Sequence, residues 1–288
     1  MIPHSIRRLS LSFCLALALA TGGVAAPAQG ASAATALAPA QKPILTAEKR
    51  AKIAEESSQI FGFTGEKDKV IRDFFPNYLE AMLRNKSFNR LMKNAKSEAE
   101  RNRIRTGWMH EHAKRNLYRL SYTDQRAFMV SMLASLKAMP DADACYDFLN
   151  GDTTLKLKLD FKTLTFGAYE LMSDKDFKDY FNMLLHAATI EDVESLPPPV
   201  DEKRLEKSVD ALYARMKANF YRNYSKAQAD ALWAYHFERE TQDTSVICNT
   251  EIVFYEELLA TRGENARILM QYIANSLAEP LIQNGYPF

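Results

Sequence analysis

Cysteine and histidine are the residues of this 288-residue chain best suited to covalent, metal or acid–base chemistry, and it has few of either: three cysteines and five histidines. Cys14 lies within Leu11 to Ala20, an uncharged run that follows Arg7 and Arg8 and precedes small residues. That is the layout of a secretory signal, and ten residues are too few to span a bilayer. Cleavage after Ala28, using Ala26-Pro27-Ala28, is favoured over cleavage after Ala25. Residues 1–28 are therefore read as a signal peptide, and the chain as periplasmic or secreted. Removing them leaves an even pair, Cys145 and Cys248, which an oxidising compartment turns into a disulfide. Closing a loop of that length restricts the unfolded chain by about 4.7 kcal/mol in the entropy model.

The four remaining histidines are His110, His112, His186 and His236. His110 and His112 flank Glu111, but helical residues two apart point about 200° from each other and cannot clasp one ion. His236 and Glu240 stand at i and i+4, on one face. They are the candidate metal pair, or an acid–base pair, although a zinc site needs a third ligand that local sequence does not supply. His186, within Met183 to Ala187, reads as a core-edge histidine. The chain contains no Gly-x-Ser-x-Gly elbow, Ser-x-x-Lys pair, glycine-rich phosphate loop or His-Glu-x-x-His motif. With both mature cysteines expected in a disulfide, a thiolate nucleophile is disfavoured too.

Net charge is +1, and −1 once Arg7 and Arg8 are removed with the signal, so nothing global suggests nucleic-acid binding. Locally the balance is uneven. Residues 84–119 carry eleven lysines and arginines against three acids, and residues 141–202 fourteen acids against five lysines. Either Arg84, Arg90, Lys93, Lys96, Arg101, Arg103, Arg105 and Arg115 form a face for an anionic partner, or the two segments lie together and neutralise one another. Neutralisation is the favoured of the two readings.

The elements that must position these groups read as helices. Residues 29–43 are an Ala/Pro-rich flexible leader without aromatics. Beyond it, Ser97-Glu98-Ala99-Glu100 and Ser225-Lys226-Ala227-Gln228 fit the capping box that starts a helix. Leu205, Val209, Leu212, Tyr213, Met216 and Phe220 follow steps of three and four, as do Ile268, Leu269, Tyr272, Ile273 and Leu277. Further helices are predicted over 46–61, 66–94 with a kink at Pro76, 97–120, 124–138, 142–149, 161–172, 174–188, 226–238 and 250–261. Thr154 to Leu159 alternates with period two and is read as a loop or edge ribbon. The many aromatic residues, Trp108, Tyr118, Phe220, Tyr221, Trp233 and Tyr235 among them, are expected to pack helix against helix.

Leu196-Pro197-Pro198-Pro199 divides 44–195 from 200–288, either as two helical halves or as a loop within one domain. A weak echo of Asn116-Leu117-Tyr118-Arg119 in Asn219-Phe220-Tyr221-Arg222 sets each Asn 29 residues before its cysteine. The fold expected is all-α: a multi-helix bundle of one domain or two similar halves, stapled by Cys145 and Cys248. The function expected is a non-catalytic binding or interaction module of the cell envelope, an adaptor, chaperone or inhibitor-like protein. Its partner would be an envelope protein or an anionic envelope component, with no cofactor, no nucleic acid and no transmembrane segment after signal removal. The alternative is an envelope hydrolase, metal-assisted through His236 and Glu240.

Overall fold

The computed structural model describes residues 43–150, 161–238 and 243–287. The segment read as a signal, the expected leader up to residue 42, the alternating stretch 154–159 and Glu240 fall outside these. The described residues form twelve α-helices and one 3-10 turn, with no strand among them. In order they are α1 (Ala47–Phe61), α2 (Gly65–Arg84), α3 (Lys86–Asn94), α4 (Glu98–Asn116), the 3-10 turn Leu117–Arg119, α5 (Tyr122–Lys137), α6 (Ala142–Asn150), α7 (Phe161–Leu171), α8 (Asp174–Ala188), α9 (Glu202–Asn223), α10 (Lys226–Glu238), α11 (Thr244–Ala260) and α12 (Gly263–Asn284). None of them is long and apolar enough to cross a membrane.

Local chemistry sets most helix starts. Ser97, Ser121, Ser173 and Asp201 each accept a backbone N–H three residues on, the usual N-cap bond. At α10 the capping box closes both ways, with Ser225 N donating to Gln228 at 3.2 Å and Gln228 N to Ser225 at 3.4 Å. Two boundaries differ from the sequence reading. Pro76 lies inside α2, and the helix predicted over 66–94 breaks instead at Asn85. Helix α11 starts at Thr244 rather than 250, because Asp243 caps it through Ser245 N and Val246 N.

Helix α5 is the hub. Its buried residues include Ala127, Phe128, Met129, Ala134 and Leu136, and it packs on α7 and α8 on one side and on α11 and α12 on the other. Such all-round burial suits a central helix. On the N-terminal side an aromatic cluster joins α2, α7 and α8, with Phe74 edge-on to Phe181 at 4.7 Å and Tyr169 edge-on to Phe177 at 5.6 Å. On the other side the predicted stripes of α9 and α12 face each other and α11. One core cluster runs through both, from Phe74 and Trp108 to Leu258 and Leu269. Cys145 of α6 and Cys248 of α11 are joined by a disulfide, their Cα atoms 5.9 Å apart.

Candidate functional site

Helix α4 starts as an ordinary amphipathic helix and changes character along one stripe. Ile104 and Trp108 are buried apolar residues, and the steps of four and three continue through His112, Arg115 and Asn116, all buried. The stripe thus carries polar groups into the interior, where each needs a partner. They meet Asp192, in the segment after α8, and Tyr286, in the segment after α12. The Tyr286 hydroxyl lies 2.8 and 3.0 Å from the two Asp192 oxygens and 2.7 Å from His112 Nδ1. His112 Nε2 lies 2.9 Å from the Ile190 carbonyl, and Asn116 donates to Asp192 at 3.3 Å. Arg115 pairs with Asp192 at 3.4 Å, donates to the carbonyls of Leu281 and Val193, and stands over the Tyr286 ring at 5.3 Å. Trp108 stacks on the other side of His112 at 4.1 Å.

The hydrogen count follows from donor chemistry. A carbonyl only accepts, so His112 Nε2 donates to Ile190. The carboxylate likewise only accepts, so the Tyr286 hydroxyl donates to Asp192. Both ring nitrogens of His112 thus lie against groups of the chain itself, Nε2 against the Ile190 carbonyl and Nδ1 against the Tyr286 hydroxyl. Burial pushes the Asp192 carboxyl up, but the hydrogen bond and charge of His112, the Tyr286 hydroxyl and Arg115 outweigh it and hold the group at about 2. Burial and the neighbouring carboxylate push the Tyr286 hydroxyl well above the usual phenol value. With the His112 and Asp192 side chains only 1% and 4% exposed, the constellation is a polar lock closed to solvent.

A second histidine–aspartate pair is more open. His186 Nδ1 lies 3.0 Å from Asp124, with the histidine side chain largely exposed and the aspartate buried. The hydrogen bond to Asp124 raises His186 above its ordinary value. Burial works to raise Asp124, but the bonds from His186 and Ser121 prevail and lower it. The Ser121 hydroxyl donates to the other Asp124 oxygen at 2.7 Å and accepts the α5 cap bond. The order is therefore Ser–Asp–His, and the serine hydrogen goes to the acid instead of the imidazole. A nucleophilic triad needs the histidine in the middle.

The basic residues divide three ways. Arg115, counted on the anion face from sequence, is buried in the lock, because its position shares the Trp108 stripe. Arg101 and Arg105 both pair with Glu98, and Arg84 is half-buried at the end of α2. Arg90, Lys93, Lys96 and Arg103 are exposed, as is Lys86. Lys86, Arg90 and Lys93 recur at steps of four and three and line one face of α3, whose other face carries Phe88, Leu91 and Met92 toward the core. The acids of the opposite segment approach the basic one at two points. Glu191 accepts the backbone N–H groups of Lys86 and Ser87 at the start of α3, at 2.9 and 3.2 Å, and Asp192 lies in the lock. From residue 81 to 97 there are five lysines and arginines and no acid.

The two central histidines diverge as helical geometry requires: His110 meets the Tyr180 hydroxyl at 3.0 Å, while His112 joins the lock. Of the pair His236–Glu240, His236 falls within α10 and Glu240 lies outside the described residues. Of the aromatics, Trp108 and Phe220 are fully buried, and Trp233, with Lys217 5.0 Å over its ring, is partly buried. Tyr221 departs from the core expectation and is 43% exposed. Sequence reasoning missed Asp192 and Tyr286, which lie in segments flanking helices. The visible signal was the run of polar residues along an otherwise apolar α4 stripe. No protein-family model, curated protein or solved structure matches this chain.

Proposed function

We propose that this is an exported, non-catalytic binding module of the cell envelope that docks on anionic lipid head groups through the exposed face of α3. The observation that carries the reading is the acid-free run of residues 81–97, whose Lys86, Arg90 and Lys93 project from one side of a helix anchored by its apolar side. The nearby carboxylates of Glu191 and Asp192 bond the backbone at the start of α3 and the buried Arg115, and among the described residues neither forms an ion pair with the Lys86, Arg90 or Lys93 side chain. The non-catalytic part is supported by His112, both of whose nitrogens are engaged within the chain, and by the order Ser–Asp–His at α5.

Lysine and arginine near an anionic membrane surface contribute about 1 kcal/mol each, so three to five of them give a peripheral, salt-sensitive association. Exposed Leu83 stands at one end of the basic face as an apolar contact. The test is co-sedimentation of residues 29–288 with vesicles of phosphatidylglycerol and phosphatidylcholine, and of phosphatidylcholine alone. Binding is expected on the anionic vesicles only, falling severalfold or more between about 20 and 500 mM salt as the screening length contracts. Reversing the charges together, K86E/R90E/K93E, should abolish it. Equal binding to neutral vesicles, or none at low salt, would refute the reading. Salt-sensitive capture of an acidic protein by a chain that ignores anionic vesicles would assign the face to a protein partner instead.

A further inference from the structure

The lock is assembled from two well-buried walls and one side chain that arrives from the chain end. His112, Arg115, Asn116 and Asp192 belong to α4 and to the segment that follows α8, and hold one another without Tyr286: Arg115 and Asn116 both reach Asp192, and His112 reaches Ile190. Tyr286 enters alone. Its neighbours Gly285 and Pro287 are exposed, and α12 ends at Asn284, with Gly285 turning the chain at φ 77°. Each feature of the inserted ring has a counterpart. The hydroxyl donates to Asp192 and lies 2.7 Å from His112 Nδ1, and the ring face meets the Arg115 guanidinium, a favourable cation–π arrangement.

We infer that His112, Arg115 and Asp192 form a receptor for a phenol, occupied in this chain by its own Tyr286. The ligand class is a tyrosyl side chain presented on an extended peptide, which a partner chain supplies when it displaces the strap formed by residues 285–287. A site built to hydrogen-bond a hydroxyl discriminates strongly against a ring lacking it, because its own buried groups would be left unpaired. A short tether gives the internal tyrosine an effective concentration in the millimolar range, so a free peptide competes at similar concentrations. Displacement would also expose Arg115, enlarging the positive surface next to Arg90.

The test uses Tyr286→Ala in the 29–288 protein, titrated with p-cresol and with toluene. The expected result is that p-cresol binds and raises the melting temperature, at least tenfold more tightly than toluene, and that adding Asp192→Asn removes the preference. A folded Tyr286→Ala protein that binds neither compound, or both equally, overturns the inference. Should that variant fail to fold, the unmodified protein is titrated with the acetylated peptide Gly-Tyr-Pro-Phe at millimolar concentration while hydrogen exchange of the Gly285 and Tyr286 amides is followed. Faster exchange with this peptide and not with its Tyr→Phe analogue supports the receptor. Unchanged exchange with both, or equal acceleration by both, overturns it.

Discussion

Asp192 keeps its charge in a place water barely reaches, because His112, Tyr286, Asn116 and Arg115 converge on its two oxygens. Its carboxyl sits at about 2 in the fold, below the ordinary value near 3.9 that applies in the unfolded chain. Since the folded value is the lower one, the stabilisation is complete above about pH 5 and is lost as pH falls from about 4 through 2. It amounts to roughly 2 kcal/mol. Urea unfolding at pH 6 and at pH 2.5 should therefore show wild type losing more stability on acidification than Asp192→Asn. At pH 6 the variant should already be weaker by about 3 kcal/mol, the cost of leaving the buried Arg115 without its acid. Equal acid sensitivity of the two proteins would mean that this carboxylate does not organise the lock.

Asn85 shows how one short side chain defines an element. Its oxygen accepts from Phe88 N at 3.1 Å and starts α3, while its amide donates to the carbonyls of Ala188 and Ile190 at 3.1 and 2.9 Å. It therefore ends the long helix predicted over 66–94 and fastens the new one to the end of α8. A cap is worth about 1 kcal/mol, and each buried carbonyl left unpaired costs about 1–3 kcal/mol. The Ile190 carbonyl keeps its bond to His112, so Asn85→Ala orphans only that of Ala188 and is expected to lower stability by roughly 2–4 kcal/mol. Asn85→Asp keeps the cap oxygen and loses both amide donors, so the difference between the variants in urea midpoint separates cap from clasp. If Asn85→Ala left the midpoint unchanged, the α3 boundary would have to be set by the fit of Phe88 alone.

For the whole molecule the decisive feature is that the segments on either side of Pro197-Pro198-Pro199 share one core and one covalent link. Helix α5 carries apolar residues toward both, Asn275 of α12 donates to the Pro198 carbonyl at 2.7 Å, and Cys145 is joined to Cys248. Reducing that bond removes a crosslink worth up to about 4.7 kcal/mol in the chain-entropy model, with losses of about 2–5 kcal/mol typical. Dithiothreitol, or the double substitution C145S/C248S, should lower the urea midpoint markedly while leaving the helical circular dichroism of the folded state intact. Alkylation of both sulfurs in the purified protein without reductant would contradict the bond.

Periodicity and capping residues already determined that this chain is helical, where most helices lie, and which two cysteines pair. Those are short-range or composition-level facts: steps of three and four, a serine three residues before its partner, an even pair of thiols. The same rules read the basic run correctly as a run but could not sort it. Whether Arg115 looks outward like Lys93 or inward like Trp108 depends on how α4 is rotated against its neighbours, which is a matter of packing. Tertiary structure alone decided that Asp192 and Tyr286, 94 residues apart, would meet on His112. A hydrogen bond between distant segments leaves no mark on local sequence, because its energy is realised only after the core has brought both ends out of water.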